Sequence, residues 1–121
     1  FFEKRTLEHI NRVRSNLSAM AKVLPEYAAD LKERGDIHDE SKFKEPERTP
    51  YIWLTEYYRC KHAGEPFEYP KGVEESVRIA AHHHVTINRH HPEFHKDAND
   101  MTVIDLIEMV CDWTAISQEY G

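Results

Sequence analysis

The sequence lacks the features that define several large classes of protein. It has no long apolar run and 31% of its residues are charged, so we expect no membrane span and no membrane partner. It also has few basic residues, with 16 Lys and Arg against 22 Asp and Glu, and a formal net charge of −6. Proteins that bind nucleic acids neutralise phosphates with clustered basic side chains, so nucleic acid is an unexpected partner.

Cysteine is scarce, which sets an expectation about the cellular compartment. The two cysteines, Cys60 and Cys111, do not make a disulfide framework and lack the paired spacing of a zinc knuckle. We therefore expect free thiols in a reducing compartment. No signal-peptide pattern is visible, so the sequence predicts an intracellular, cytoplasmic protein. Its length of 121 residues predicts one domain over residues 1–121.

The chain shows no alternating strand pattern, no repeat and no glycine-rich phosphate loop, and its apolar residues recur at helical spacing. Gly35 is expected to end the second helix, Thr49 to cap the third, and Asn99 or Asp100 to cap the last. The sequence predicts an all-α domain, a compact bundle of five or six helices. The main segments are residues 6–24, 26–34, 51–61, 73–88 and 99–119.

Histidine is abundant, with nine residues in the chain and six of them within fourteen positions. On the helical wheel of residues 73–88, His84 falls on the apolar face, His83 lies at its edge and His82 points away. A single inward histidine is more often a hydrogen-bonded core residue than a ligand. Asn88 follows His84 by one turn and could orient it.

The last helix carries three acids on one edge. Ten of the fourteen residues in 103–116 are apolar, which predicts a helix buried on most sides. Asp105, Glu108 and Asp112 are spaced by three and four residues, so they project together. Burying carboxylates without partners is costly, so these acids either form a solvated strip or meet a cation inside.

Two further histidines stand apart from the cluster. His9 lies at the margin of the apolar stripe of the first helix, and His38 is followed directly by Asp39. Histidine and aspartate thus occur on at least four elements that must share one interior. Mixed imidazole and carboxylate ligands suit a transition metal or manganese.

This ordered series resembles the HD-domain superfamily, helical proteins whose metal ligands run His, His-Asp and a distal Asp. His9, the pair His38-Asp39 and an aspartate of the last helix match that order. By the resemblance Asp112 is the distal ligand, with Asp105 as the fallback. The resemblance implies an HD-like metal-binding domain.

Extra histidines between the His-Asp pair and the distal Asp are typical of HD proteins with two metals. His83 or His84, and His90 or His91, stand where those ligands would fall, and Asp39 could bridge two ions. The run from residue 83 to 93 is similar to a motif in a small set of bacterial and phage proteins, so phage origin is open. The resemblance implies one divalent ion, or two, drawn from Mn, Co, Ni, Fe, Zn and Mg.

The stretch His38-Asp39-Glu40-Ser41-Lys42 resembles the His-Asp-x-x-Lys form of HD phosphohydrolases. The implied activity is metal-dependent hydrolysis of a nucleotide or another small phosphorylated metabolite by a metal-activated water. Asp39 would serve catalysis as well as metal binding, and Lys42 would reach a phosphate oxygen, although a solvated helix lysine is nearly as expected. Glu40 is a weaker candidate to position water. The candidates for further substrate contacts are Asn88, Arg89 and His95.

Two alternatives use the same residues differently. An HD-type di-iron oxygenase has a similar set of six protein ligands. A non-catalytic module would use the histidines as a pH-sensitive surface or a structural metal site, with the aromatic helix 51–58 as a partner surface. Packing of those aromatic residues on neighbouring elements is the plainer interpretation. A homodimer is expected only by analogy with HD proteins.

Overall fold

The computed structural model describes residues 1–120, and all regular secondary structure within that range is helical. The predicted all-α class is confirmed, with five α-helices joined by short 3₁₀ turns. No helix among the described residues has the length and apolar character needed to span a membrane. The helices are α1 (Phe2–Val23), α2 (Ala28–Ile37), α3 (Arg48–Ala63), α4 (Val73–Ile87) and α5 (Val103–Tyr120).

The apolar core lies where α1, α2 and α5 pack together. Val13 and Leu17 of α1 meet Leu31 of α2 and Cys111 and Ala115 of α5, and all five are buried. The steps of three and four between apolar residues of α1 place its core side chains on one face. The three helices therefore pack tightly around an apolar core next to the polar interior of the protein.

Gly35 does not end the second helix as predicted, because α2 continues to Ile37. A Cβ at Gly35 would lie 3.2 Å from Cγ of Arg14 on α1. The Arg14 Nε–H donates to the Gly35 carbonyl oxygen at 2.8 Å. Glycine is therefore needed here for the close approach of two helices and not for a turn.

The predicted caps at Asn99 or Asp100 are also wrong. Residues Ala98–Asp100 form a separate 3₁₀ turn, and α5 begins at Val103. The Thr102 hydroxyl accepts a hydrogen bond from the Asp105 N–H at 3.1 Å, and the Asp105 carboxylate accepts one from the Thr102 N–H at 3.0 Å. This reciprocal capping pair satisfies two backbone donors at once, which fixes the start of the helix.

The third helix likewise begins one residue before the predicted cap Thr49, at Arg48. The Glu45 carboxylate accepts a hydrogen bond from the Thr49 N–H at 3.2 Å. The aromatic side chains of α3 pack on the loop that follows it. The rings of Tyr57 and Tyr69 stack at 5.7 Å, and Tyr57 meets Phe67 edge-on at 6.0 Å.

The orientation of α5 is the main surprise of the fold. A helix buried on most sides was expected, but Leu106, Val110 and Trp113 are exposed. Asp105 and Glu108 are buried, as is Asp112. The acids face inward because arginine and histidine side chains of the interior contact them there. The helix therefore has a polar inner edge and an apolar outer one.

Both cysteines are free, as predicted, and both are buried. Burial, together with the nearby charges of Glu108 and Asp112, raises the pKa of Cys111 to about 11. Burial also raises the pKa of Cys60. Neither thiol is therefore a ready nucleophile or metal ligand at neutral pH.

Candidate metal centre

A sharp change of chain direction brings His38 and Asp39 to one point. Helix α2 ends at Ile37, so the two residues are not on a helix and need not diverge by 100°. Asp39 adopts a left-handed backbone conformation, with φ 54° and ψ 20°. Aspartate tolerates this region better than most residues. Both side chains then point into the space enclosed by α1, α4 and α5.

His9, His38, Asp39 and Asp112 form the first group of potential metal ligands, which we call donor set A. One ligand atom from each lies within 4.8 Å of the others, and all four residues are buried. Asp112 Oδ1 is 2.8 Å from His9 Nε2 and 3.2 Å from His38 Nε2. Asp39 Oδ2 is 3.4 Å from the same two nitrogens. Two imidazoles and two carboxylates thus converge on one point.

His84, His90 and His91 form a second group with the other oxygen of Asp39, which we call donor set B. One nitrogen from each histidine lies within 4.8 Å of the others. Asp39 Oδ1 is 3.2 Å from His84 Nε2 and 3.4 Å from His90 Nε2. One carboxylate therefore faces both donor sets, one oxygen to each.

Three atoms of this region are buried and unpaired. Within the described part of the chain, Asp39 Oδ1, His90 Nε2 and His91 Nε2 have no hydrogen-bond partner. Buried polar groups without partners are rare because they lose their hydrogen bonds to water and gain none within the protein. All three are ligand types for a divalent cation and belong to one donor set. The residues present therefore fit a metal ion at set B, and the four buried ligands of set A fit a second.

Two buried glutamates hold the far side of the histidine rings. Glu108 Oε2 accepts from Nδ1 of His38 at 2.7 Å and from Nδ1 of His90 at 2.9 Å. Glu47 Oε1 accepts from Nδ1 of His84 at 2.7 Å. Because ionised carboxylates only accept, each Nδ1 must carry the proton, which leaves Nε2 as the ligand atom. Carboxylate–histidine–metal arrangements of this kind are usual around metal sites.

An outer layer of arginine charge holds the acids of α5. Arg34 Nη1 lies 2.8 Å from Asp105 Oδ1 and 3.0 Å from Glu108 Oε1. Arg89 Nε also contacts Asp105 Oδ1, at 3.1 Å. Asp105 is thus occupied by two arginines and by the helix cap. It does not join either donor set, whereas Asp112 belongs to set A.

The charges within the cluster displace the pKa values of its members. Burial opposes ionisation of Glu108, but hydrogen bonds from His38 and His90 outweigh it and lower the pKa of Glu108 to about 2. Burial likewise lowers the pKa of His38, but the Asp39 charge and hydrogen bonds to Asp112 and Glu108 raise it to about 10. Burial and two neighbouring histidines lower the pKa of His91 to about 4. His91 is therefore neutral at pH 7.

Some predicted site residues lie outside the two donor sets. His83 donates from Nδ1 to Glu47 Oε2 at 2.6 Å and is partly exposed, so it lies behind His84 and does not share its position. Glu40 is exposed and pairs with Lys44 at 3.4 Å, and it belongs to neither donor set, so its role near water stays a prediction. His82 is exposed, as expected.

The predicted substrate-contacting residues are also engaged in contacts within the chain. Asn88 Nδ2 donates to the His84 carbonyl oxygen at 2.8 Å and to Ser41 Oγ at 3.1 Å, so it fixes the end of α4. His95 Nε2 lies 3.0 Å from the Arg89 carbonyl oxygen. Arg89 itself is bound to Asp105. A substrate contact of Asn88, Arg89 or His95 stays a prediction, and each of the three is already held by contacts within the chain.

Lys42, the predicted phosphate-contacting residue, lies beside Asp39. Its Nζ is 3.2 Å from Asp39 Oδ2 and 5.2 Å from the centre of the Tyr51 ring. A cavity of about 690 Å³ opens beside it, and its floor includes His9, Asp39 and Asp112. Other residues of the wall, farther from the ligands, are Arg5, Tyr58, Lys61, His62 and Tyr120.

The whole sequence matches one family. The sequence model of a family of unknown function, DUF5662, covers residues 1–121. The chain belongs to the DUF5662 family. It matches no curated protein and no solved structure.

In this DUF5662 chain, sequence reasoning missed the residues that orient the histidines. Glu108 was visible as one of three acids on the edge of α5, but its contact with two imidazoles was not. Glu47 gave no signal, because only the fold brings the start of α3 against α4. Arg34 gave no signal in the sequence either. A buried acid on an otherwise apolar helix was the one usable clue, and it pointed to a cation inside.

Proposed function

We propose that this protein is a metal-dependent phosphohydrolase of the HD type that acts on a nucleotide or another small phosphorylated metabolite. The observation that carries the proposal is the position of Asp39. Its two carboxylate oxygens face two convergent sets of buried histidine and aspartate ligands, and Lys42 stands beside it at the edge of a cavity.

The donor chemistry favours a transition metal. Set A offers His9, His38, Asp39 and Asp112, and set B offers three imidazoles with the shared Asp39. Mixed nitrogen and oxygen ligands suit Mn, Fe, Co, Ni and Zn, whereas Mg prefers oxygen alone and is the least expected ion. When bound, such an ion lowers the pKa of a water and polarises a phosphoryl oxygen.

The chain's own residues bind and orient the substrate. Lys42 places an ammonium group beside the ligands, and the Tyr51 ring lies against it, so a phosphate oxygen in the cavity meets a fixed positive charge. Farther out, Lys61 and His62 line the same cavity. The charge of Lys61 favours the approach of an anion to a chain whose net charge is negative. Asp39 holds Lys42 in place through the contact at 3.2 Å.

Metal analysis combined with a phosphatase screen tests the proposal. The purified protein is analysed for bound metals and then loaded with each candidate ion and assayed on nucleotides and sugar phosphates. We expect at least one ion per chain and release of inorganic phosphate from some substrate. The Asp39→Asn variant should lose both, while Asp36→Asn, an exposed acid three residues away that pairs with Lys32, should keep both.

Two outcomes contradict the proposal. A folded protein that binds no divalent ion under any load would exclude metal catalysis. A metal-loaded protein that hydrolyses no phosphoester, with the metal held as tightly in Lys42→Ala as in the wild type, would favour a non-catalytic metal-binding module.

An HD-type di-iron oxygenase is the second candidate. The observation that favours it is the richness of set B in nitrogen, with three imidazoles around one carboxylate oxygen. Two irons per chain, a visible absorption band and oxygen uptake with a substrate would support it. A colourless protein that is active with manganese and indifferent to oxygen would exclude it.

A further inference from the structure

The cavity beside the metal centre is much larger than a phosphate group needs. Its volume of about 690 Å³ is in the range of pockets that enclose a whole small-molecule ligand. The metal ligands lie at one end, on the floor that includes His9, Asp39 and Asp112. The rest of the cavity is therefore free to hold the part of a substrate that is not phosphate.

Helices α3 and α5 run along the cavity from its floor to its mouth. On α3 the lining residues between Tyr51 and His62 recur at steps of one and three, so they share one face and span about 16 Å. On α5 the lining begins at Asp112 on the floor and ends at Tyr120, about 12 Å farther along the helix. The mouth thus lies about two helical turns from the ligands.

The wall between the floor and the mouth is uncharged. Its residues are Leu54 and Thr55 on α3, Ile116 on α5 and Thr6 on α1. A chain of phosphates would find no counter-charge at this level. A neutral group such as a sugar would meet apolar side chains and two threonines, so this middle part of the cavity suits an uncharged spacer.

Aromatic rings and one planar cation meet at the mouth. The guanidinium carbon of Arg5 lies 6.0 Å from the centre of the Tyr58 ring and 5.9 Å from that of Tyr120. The rings of His62 and Tyr120 stack with their centres 5.5 Å apart. Arg5 also binds Glu119 at 2.7 Å and donates to the Tyr120 hydroxyl, so these contacts hold the rings in place. We call Arg5, Tyr58, His62 and Tyr120 the mouth cluster.

We propose that the mouth cluster binds a planar aromatic ring that an uncharged spacer joins to the phosphate, as in a nucleoside monophosphate. The inference rests on the proposed function, because it assigns the floor to the phosphate. Tyrosine rings and arginine planes are the side chains on which such rings stack. A second phosphate is disfavoured at the mouth, because the charge of Arg5 is already paired with Glu119.

Two phosphoesters that differ only in the ring test the proposal. Adenosine monophosphate and ribose phosphate share the phosphate and the sugar, and only the first carries a base. The metal-loaded wild type should have a KM for adenosine monophosphate at least about tenfold below its KM for ribose phosphate. Phenyl phosphate should lack this advantage, because its ring is bonded directly to the phosphate and cannot reach the mouth.

Substitutions at the mouth locate the effect. Tyr58→Leu and Tyr120→Leu should each reduce the preference for adenosine monophosphate by about tenfold, through KM and not through kcat. Tyr58→Phe keeps the ring and should restore the preference. Trp113→Leu is the matched control for Tyr120→Leu. Both residues are on α5 and equally exposed (55% and 56%), but Trp113 does not line the cavity.

Binding of adenosine separates this proposal from the proposed function. Adenosine has no phosphate, so its binding requires no hydrolysis. An NMR titration of the full chain with adenosine should shift the ring signals of Tyr58 and Tyr120. Both leucine variants should weaken that binding by about tenfold, whereas Trp113→Leu should not. Circular dichroism verifies that each variant is folded, and exposure of both tyrosines favours that outcome.

Two results would overturn the proposal. The first is an active wild type with equal KM values for adenosine monophosphate and ribose phosphate, which would leave the proposed hydrolysis in place. The second is adenosine binding that neither leucine variant weakens. In contrast, a protein that binds adenosine through the mouth cluster but releases no phosphate would support this site and contradict the proposed function.

Discussion

Asp39 combines an unusual backbone with an unusual chemical position. Its left-handed conformation turns the chain out of α2, and its two oxygens face different sets of ligands. Burial opposes its ionisation, but the charges of Lys42 and His38 and the close imidazoles of His84 and His9 hold its pKa well below the usual range. Asp39 is therefore a permanent anion at the centre of the cluster.

Asp39→Asn should remove metal binding and leave the fold intact. Asparagine tolerates the left-handed conformation as well as aspartate does, so the turn survives while the shared charge is lost. Second-layer partners of metal ligands are worth about 10- to 100-fold in affinity, so loss of a shared ligand should cost more than about 100-fold. Metal content measures the loss of metal binding, and circular dichroism measures whether the fold is intact, with Asp36→Asn as the control. If the Asp39→Asn variant retained its metal, that result would contradict a role of Asp39 as a ligand shared by the two donor sets.

Glu47 and Glu108 form a matched pair of histidine-orienting residues. Among the members of the two donor sets, Glu47 contacts only His84 of set B, whereas Glu108 contacts His38 of set A and His90 of set B. Glu47→Gln should weaken one binding step by about 10- to 100-fold, and Glu108→Gln should weaken both. Calorimetric titration with a divalent ion resolves the steps. Equal effects of the two variants on a single step would contradict the two-set geometry.

At the scale of the element, α5 is organised around its buried acids. Arg34 on α2 and the imidazole of His38 supply the positive charge that they need, and His90 adds a hydrogen bond to Glu108, so the helix can bury carboxylates and expose Leu106 and Trp113. Burying an acid is tolerated only when such partners are in place. The orientation of α5 therefore depends on contacts made by other elements.

Arg34→Met should destabilise the metal-free protein by about 3–5 kcal/mol, because it removes the buried guanidinium that Asp105 and Glu108 share. Arg89→Met removes the other arginine on Asp105, but that side chain is nearly half exposed, so the loss should stay below about 1 kcal/mol. Urea unfolding followed by circular dichroism measures the difference. A larger loss in Arg89→Met than in Arg34→Met would refute the assignment of Arg34 as the main counter-charge.

At the scale of the whole molecule, the buried acids make stability depend on pH. The pKa of Glu108 is lowered from 4.5 to about 2, against the effect of burial, by His38 and His90. The pKa of Asp105 is lowered from 3.8 to about 2, again against burial, by Thr102 and two arginines. Groups with lowered pKa values stabilise the fold above their unfolded pKa, and that contribution disappears as they take up protons.

The free energy of unfolding of the metal-free protein should therefore fall steadily as the pH drops from about 5 to about 2. Thermal unfolding at a series of pH values measures this. Glu108→Gln should flatten part of the slope, because one of the protonating groups is gone. A melting temperature that does not change across this range would contradict the lowered pKa values.

Metal binding should expel a proton and stabilise the fold. The pKa of His38 is raised to about 10, so its extra stability is present below pH 6.5 and is lost as the pH rises through 10. At pH 7 to 8 the ring is protonated, and its Nε2 must lose that proton before it can act as a ligand. Calorimetry in buffers of different ionisation enthalpy should show at least one proton released per ion.

An ion that binds only the folded state adds to stability by mass action. At 100 times its Kd the gain is about 2.7 kcal/mol, which raises the melting temperature. The His38→Ala variant should lose both the proton release and most of the stabilisation. Metal binding without proton release at pH 7 would contradict the raised pKa of His38.

The amino-acid sequence by itself determined the helical class and suggested which histidines and aspartates share the interior. Hydrophobic spacing of three and four is a local property, so α1 and α4 were predictable within a few residues. The order of His9, His38, Asp39 and Asp112 along the chain also suggested a shared site. Gly35 and the caps of α5 were mispredicted, because a close helix contact and a reciprocal cap outweighed local turn preferences.

Only the tertiary structure decided which member of each pair faces the site and which face of α5 is inside. His84 lies in set B and His83 behind it, and His90 and His91 both point inward. Glu47 and Glu108 could be assigned only once their imidazole partners were in place. The physical reason is that the cost of burying a charged side chain depends on its neighbours in space, which sequence spacing along one helix does not specify.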